Sequence, residues 1–240
     1  MTPLRNLLRF VPLFFGLLVL AGCETRSISD SGYRGGYGSG HNPFYRGELS
    51  EFDLLGLDRG TQASDADIAQ ALDNPVRPTV RKGSTLLLIQ SGAFQPDEPM
   101  RLAFERQFNV VPFSGQPGPT NGQSYSRAVR FAAAQAGCES IVCYWGVLES
   151  ARTDLATKTI SWVPVVGWAI PDQSQQMRIR LKVALVDVRT GRWTIFSTAS
   201  VADRTILLKP KGASDQEQVE KLKRLAYDAL AKDVAEKYSR

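Results

Sequence analysis

The run Ser84–Gly92, STLLLIQSG, decides the fold class. Four aliphatic residues in succession, Leu86 to Ile89, lie between Gly83 and Gly92 and leave no polar face; such a strand is covered on both sides. The residues after it supply the covers. Asp97 and Pro99 start a helix in which Met100, Phe104 and Phe108 recur every fourth residue, and NVVPFSG (109–115) reads as a second short strand. After a Gly/Pro-rich loop, SYSRAVRFAAAQAG (124–137) is helical, with Val129, Ala132, Ala133 and Ala136 small enough to lie close on a sheet and Gly137 as its stop. SIVCYWGVLES (140–150) is a third strand. A short helix over 64–74 precedes the set, with Ser64 and Asp67 at capping-box spacing and Ile68 and Leu72 on one face.

The second half changes period. In QMRIRLKVALVDV (176–188), Met177, Ile179, Leu181, Val183 and Leu185 point one way, and Arg178, Arg180 and Lys182 the other. Together with the turn Arg189–Arg192 and the β-branched run after it, this reads as an antiparallel hairpin. At the carboxy terminus, Val219, Leu222, Ala226, Ala229, Leu230, Val234 and Tyr238 form one stripe of a long amphipathic helix. The fold class is therefore α/β (α+β): a mixed β-sheet with a β-α-β-α-β start, an antiparallel hairpin, and a long C-terminal helix packed on it.

The amino terminus sets the compartment. Arg5 and Arg9 precede an apolar run, Phe10 to Leu20, too short for an ordinary bilayer span, and the run ends in Leu20-Ala21-Gly22-Cys23. That ending resembles the lipobox of bacterial lipoproteins, which implies cleavage after residue 22, a diacylglycerol on Cys23, and a permanent membrane anchor, since two or more acyl chains hold firmly where one does not. Glu24 is not the aspartate that retains such proteins in the inner membrane of Gram-negative bacteria, which favours the outer membrane. The expected organisation is a signal peptide over 1–22, an anchor with a Gly/Ser/Tyr-rich tether over 23–63, and one mixed α/β periplasmic domain over 64–240.

Removing Arg5 and Arg9 lowers the formal charge from +5 to +3, too mild for nucleic-acid binding. His41, the lone histidine, lies in the tether, and no phosphate-cradling glycine motif follows a strand, so neither a histidine-based centre nor a cofactor is expected. Cys138 and Cys143 lack zinc spacing; two free thiols with Cys143 buried are expected, because a bridge would need a tight bend before the strand. Glu149 and Asp154 could form a carboxylate pair in a loop, the basis of an alternative hydrolase reading. Two surfaces suit a partner. One is the basic strip Arg178, Arg180 and Lys182, which could meet an acidic protein, a phosphate-bearing lipid or an anionic wall polymer. The other is SWVPVVGWAIP (161–171), where Trp162 and Trp168 sit on a proline-broken edge suited to a partner or a membrane interface.

The lipobox, the strand-helix-strand units from Ser84 to Leu148, the turn DVRTGRW and the terminal helix together resemble the periplasmic lipoproteins whose domain is similar to the TolB amino-terminal domain, CsgG and the penicillin-binding-protein activators. The resemblance covers roughly residues 64 to 238. It implies a non-catalytic role in binding or assembling another envelope component, with a ring-forming secretion subunit, and hence a homo-oligomer, as a further possibility.

Overall fold

Leu86 to Ile89 are all buried, and they lie in β2 (Thr85–Gln90), the middle of three parallel strands. In this computed structural model the residues described are 24–31, 42–57, 63–118 apart from 74 and 76, 122–154, 173–206 and 213–239. β1 (Glu24–Ser27) is the first described element; β3 (Asn109–Phe113) and β4 (Ser140–Asp154) flank β2; β5 (Gln173–Asp187), β6 (Trp193–Ser197) and β7 (Val201–Ile206) follow. The sheet runs β3-β2-β4-β5-β6, with β1 beside β4 and β7 beside β5. The expected mixed sheet is thus present.

Its spine is the antiparallel pair β4–β5, fifteen residues each, in register from Ser140↔Asp187 to Asp154↔Gln173. The lower half of that pair carries the parallel strands and β6. The upper half carries β1, with Glu24 opposite Ser150, and β7, with Ile206 opposite Ser174.

Side chains alternate between two cores. On one face Leu86, Leu88, Val142, Tyr144, Ile179, Leu181, Val183 and Leu185 meet α3 (Glu98–Glu105) and α5 (Ala213–Lys237). Met100, Phe104 and Phe108 all turn inward, as their spacing requires. On the other face Leu87, Ile89, Ile141, Cys143, Trp145 and Ala184 meet α1 (Glu51–Leu55) and α4 (Gly122–Gln135), which buries Val129 and Ala133, whereas Ala136, just past its end, is exposed. Gly137 ends α4 at φ 71°, where the amides of Gly137 and Cys138 reach back to Ala134 and Ala133. The α5 stripe differs from its sequence reading in one way. Ala229 is exposed, while Tyr227, Ala231 and Ala235 are buried, because 3.6 residues per turn carries the seam past 229.

Described parts of the segment expected as a tether over 23–63 pack on the sheet. Glu24–Ser27 pairs with β4, and a single 3-10 turn, Ile28–Asp30, buries Ile28 against Gly146, where even a β-carbon on the glycine would collide with the isoleucine. Further on, Leu49, Leu54 and Leu55 are core residues, and the Trp145 indole donates to the Leu49 carbonyl at 2.9 Å. Meanwhile the helix expected to begin the domain, α2 (Asp65–Asp73), has its capping box but no buried residue, and Ile68 and Leu72 are exposed. Among the described residues, sheet pairing and core contacts thus already occur on the amino-terminal side of residue 64. The signal peptide over 1–22, Cys23, His41, Trp162 and Trp168 lie outside the described residues.

Candidate functional site

Where parallel strands end, their backbones part and leave a crevice at the carboxyl edge of the sheet. Here β2 stops at Gln90 and the chain turns through Ser91–Gln95 before α3, opening a cleft of about 640 Å³ roofed by the 3-10 turn and by residues 42–46. Its floor is a buried polar network. Gln90, 1% exposed, accepts the Tyr144 hydroxyl at 2.5 Å and the Asp97 amide at 2.7 Å, and donates to Ser29 Oγ at 3.0 Å; Ser29 in turn donates to the Ser91 carbonyl at 2.5 Å. Asp97 Oδ2 accepts the Tyr227 hydroxyl at 2.6 Å and lies 2.9 Å from Lys223 Nζ.

Asp97 stands at the N-cap of α3, as its sequence position predicts, yet its side chain does not cap. The carboxylate is turned to α5 instead, because the ammonium of Lys223 is buried there and has to be neutralised. Burial first, then the nearby Asp97 charge, pushes the hydroxyls of Tyr144 and Tyr227 well above the usual tyrosine range, so both act as fixed donors at neutral pH. At the rim Phe44 and Phe94 are exposed, beside the guanidinium of Arg46 and the amides of Asn42, Gln95 and Gln116. This mixture can grip an extended segment that is partly apolar and partly polar. The sequence signal for the cleft is the polar run QSGAFQPD (90–97) directly after the buried strand; it does not single out a site, because a polar stretch there also suits an ordinary turn.

The basic strip forms as its alternation predicts, with Met177, Ile179, Leu181, Val183 and Leu185 buried opposite it. Its cations have partners. Glu149, directly across from Arg178, receives both Arg178, with Nε at 2.6 Å, and Arg180; Lys182 pairs with Glu51 of α1 and stands 5.7 Å from the Trp145 ring. Glu149 lies within β4 rather than in a loop, and so does Asp154, five strand positions on and about 16 Å away.

The hydrogen bond from Arg178, then the two guanidinium charges, holds the Glu149 carboxyl below the usual range against some desolvation. A lowered folded-state value makes this contribution present above the unfolded value, about 4.3, and lost as pH falls through the folded one. The melting temperatures of wild type and Glu149→Gln should therefore differ at pH 7 and converge as pH drops below about 4. A gap that stays constant down to about pH 3 would show that the ionised pair contributes nothing.

Cys138 and Cys143 are free and buried. Burial, reinforced by Glu48 and Glu51, raises the Cys143 thiol far above its ordinary value and makes it a poor nucleophile. Among the described residues no group of three or more His, Cys, Asp or Glu side chains could hold a metal ion, and no helix is long and apolar enough to cross a membrane.

Residues 50–237 match the model of a family described as YafT bacterial lipoprotein. No curated protein matches the sequence. Among solved structures, a minor lipoprotein from Acinetobacter baumannii aligns at 13% identity over 67% of this chain and 92% of its own, with a TM-score of 0.31. A dodecamer of a PelC point variant from Paraburkholderia phytofirmans aligns at 10% over 69% and 95%, also at 0.31. Lipoprotein GNA1162 from Neisseria meningitidis aligns at 14% over 58% and 93%, at 0.22.

Proposed function

The chain belongs to the YafT family of bacterial lipoproteins, and from that premise we propose that it is anchored in the outer membrane through acylated Cys23 and holds a mixed α/β domain in the periplasm that binds another envelope component without catalysis. One observation carries the reading. The described side chains best suited to chemistry are committed to the fold: Asp97 to Tyr227 and Lys223, Glu149 to two arginines, and Cys143 to the core. What the cleft at the end of β2 offers is recognition, with exposed Phe44 and Phe94 as apolar anchors and polar groups around them. An extended amphipathic segment of another envelope protein fits that surface best. The basic strip ranks behind it, because a partner would have to displace Glu149 and Glu51 from its cations.

Crosslinking capture from native envelopes tests this. Replacing Phe44 and Phe94 with Ser should lower capture by about 30-fold or more, the effect of losing about 2 kcal/mol at an aromatic anchor. Changing Arg178, Arg180 and Lys182 to Gln should leave capture nearly intact; Gln is preferred to Glu because reversal would set new carboxylates against Glu149 and Glu51. Capture lost only in the Gln variant, or only on changing Trp162 and Trp168 to Ala, would move the binding surface to the strip or to 161–171. Turnover in peptidase or glycosidase assays would overturn the non-catalytic reading, and size-exclusion chromatography of the free protein would reveal a ring.

A further inference from the structure

The two edges of the sheet are built differently. At β3 the Asn109 amide donates to the Ser84 carbonyl, so residues 109, 111 and 113 turn their backbone groups to β2, and Val110 and Pro112 turn theirs outward. Pro112 has no N–H, which blunts that edge against another strand. β6 ends the sheet on the other side without such a device. From Trp193 to Ala202 the sequence, WTIFSTASVA, carries no charge and no proline.

The pairing of β6 with β5 shows which backbone groups are open. The Asp187 amide donates to the Arg192 carbonyl at 2.9 Å and the Thr198 amide to the Leu181 carbonyl at 3.3 Å, so residues 192, 194, 196 and 198 face β5. Trp193, Ile195 and Ser197 therefore turn their N–H and C=O groups away from the sheet, where the described residues offer them no partner. We propose that these groups pair with the same strand of a second copy of this chain, antiparallel and centred on Ile195, so that two sheets join into one across a twofold axis.

Self-pairing in that register satisfies every open group. Ile195 meets Ile195 of the second copy, and Trp193 of each copy meets Ser197 of the other, each pair exchanging its N–H and C=O bonds. The side chains fit as well. The two Ile195 chains adjoin, each Trp193, 40% exposed in the single chain, stands opposite the small Ser197, and no charged residue falls within the paired segment. α2 is a second unpartnered feature at this edge. Across an open cleft of about 640 Å³ it faces Trp193 and the turn before it, and its Ile68 and Leu72 are 50% and 73% exposed. A copy arriving along β6 brings those side chains apolar cover that the described part of their own chain does not give.

Neither the lipid anchor nor the β2 cleft enters this pairing, and full-length protein in detergent micelles tests it. Light scattering should give a protein mass twice that of one chain. Under mild oxidation Ile195→Cys should form an intermolecular disulfide, because the paired Cα atoms lie about 5.5 Å apart, within the reach of a bridge. Ala202→Cys should not, since its two copies stand more than about 30 Å apart in this register. Peptide mass mapping separates a 195–195 bridge from any through Cys23, Cys138 or Cys143. Ser197→Pro removes an outward N–H from an exposed residue and spares the ladder to β5, so it should weaken association at least about tenfold at an unchanged melting temperature. Should the proline disturb β6, Ile195→Lys, which sets two ammonium groups face to face on the axis, takes its place. Four results overturn the proposal: a single-chain mass at about 0.1 mM protein; an assembly of any size that both variants leave intact; bridges from Ala202→Cys as readily as from Ile195→Cys; or, in intact envelopes, a bridge from Ile195→Cys to another protein instead of to itself.

Discussion

Removing residues 214–240 should leave no cooperatively folded protein. α5 buries Val219, Leu222, Leu230 and Val234 along with Tyr227 and three alanines. At about 1.5 to 3 kcal/mol each, the four aliphatic side chains alone contribute about 6 to 12 kcal/mol, comparable with the whole stability of an ordinary domain. The helix also closes contacts that the sheet cannot replace. The Tyr227 ring meets Tyr144 edge-on at 5.9 Å, Tyr238 stacks on Phe196 at 4.4 Å, and the Tyr238 carbonyl accepts the Val80 amide at 2.7 Å. Without α5 one whole face of β5, from Met177 to Leu185, would be exposed to water, so the truncated chain should be insoluble or molten. Circular dichroism and a thermal melt decide it. A truncated form that still melts cooperatively near the parent temperature would make α5 a detachable arm.

The same helix marks how far the sequence can be read. Its stripe, the continuous apolar run of β2, the every-fourth-residue pattern of α3 and the alternation along β5 are all legible, because each buries a face whose period is written in consecutive residues. β1 is not. Glu24–Ser27 is polar and four residues long, and it is held by backbone pairing to a strand more than a hundred residues away, so nothing in its side chains announces a strand. The segment from 42 to 57 is opaque for a related reason: Leu49, Leu54 and Leu55 are core residues supplied by a stretch with no clean period.

The candidate sites divide likewise. The cations of the strip follow from alternation, but their counter-ions do not: Glu51 lies 131 residues from Lys182, and Glu149 faces Arg178 only through the β4–β5 register. The same holds for the floor of the cleft, where Gln90, Tyr144 and Tyr227 come from three elements and meet only once the sheet and α5 are packed.

That floor should be the most sensitive polar locus of the domain. Lys223 is 5% exposed and Asp97 27%, so Asp97→Ala would leave a buried ammonium without its counter-ion and the Tyr227 hydroxyl without its acceptor. Stranding one member of a buried pair costs about 3 to 5 kcal/mol, and the partial exposure of Asp97 points to the lower end, about 3 kcal/mol. Asp97→Asn keeps an acceptor for the hydroxyl and should cost less, while the charge loss remains. Adding Lys223→Met to Asp97→Asn removes the stranded charge as well, and replacing both members of such a pair is often neutral. The double variant should therefore recover most of the stability lost in Asp97→Asn, giving a coupling that urea denaturation of the two single variants and the double resolves. Because the Asp97 side chain does not cap α3, no cap loss confuses the comparison. A cost below about 1 kcal/mol for Asp97→Ala would place the pair among solvated surface contacts; the cleft floor would then be a soft wall able to reshape around its ligand, and recognition would fall to the aromatic rim alone.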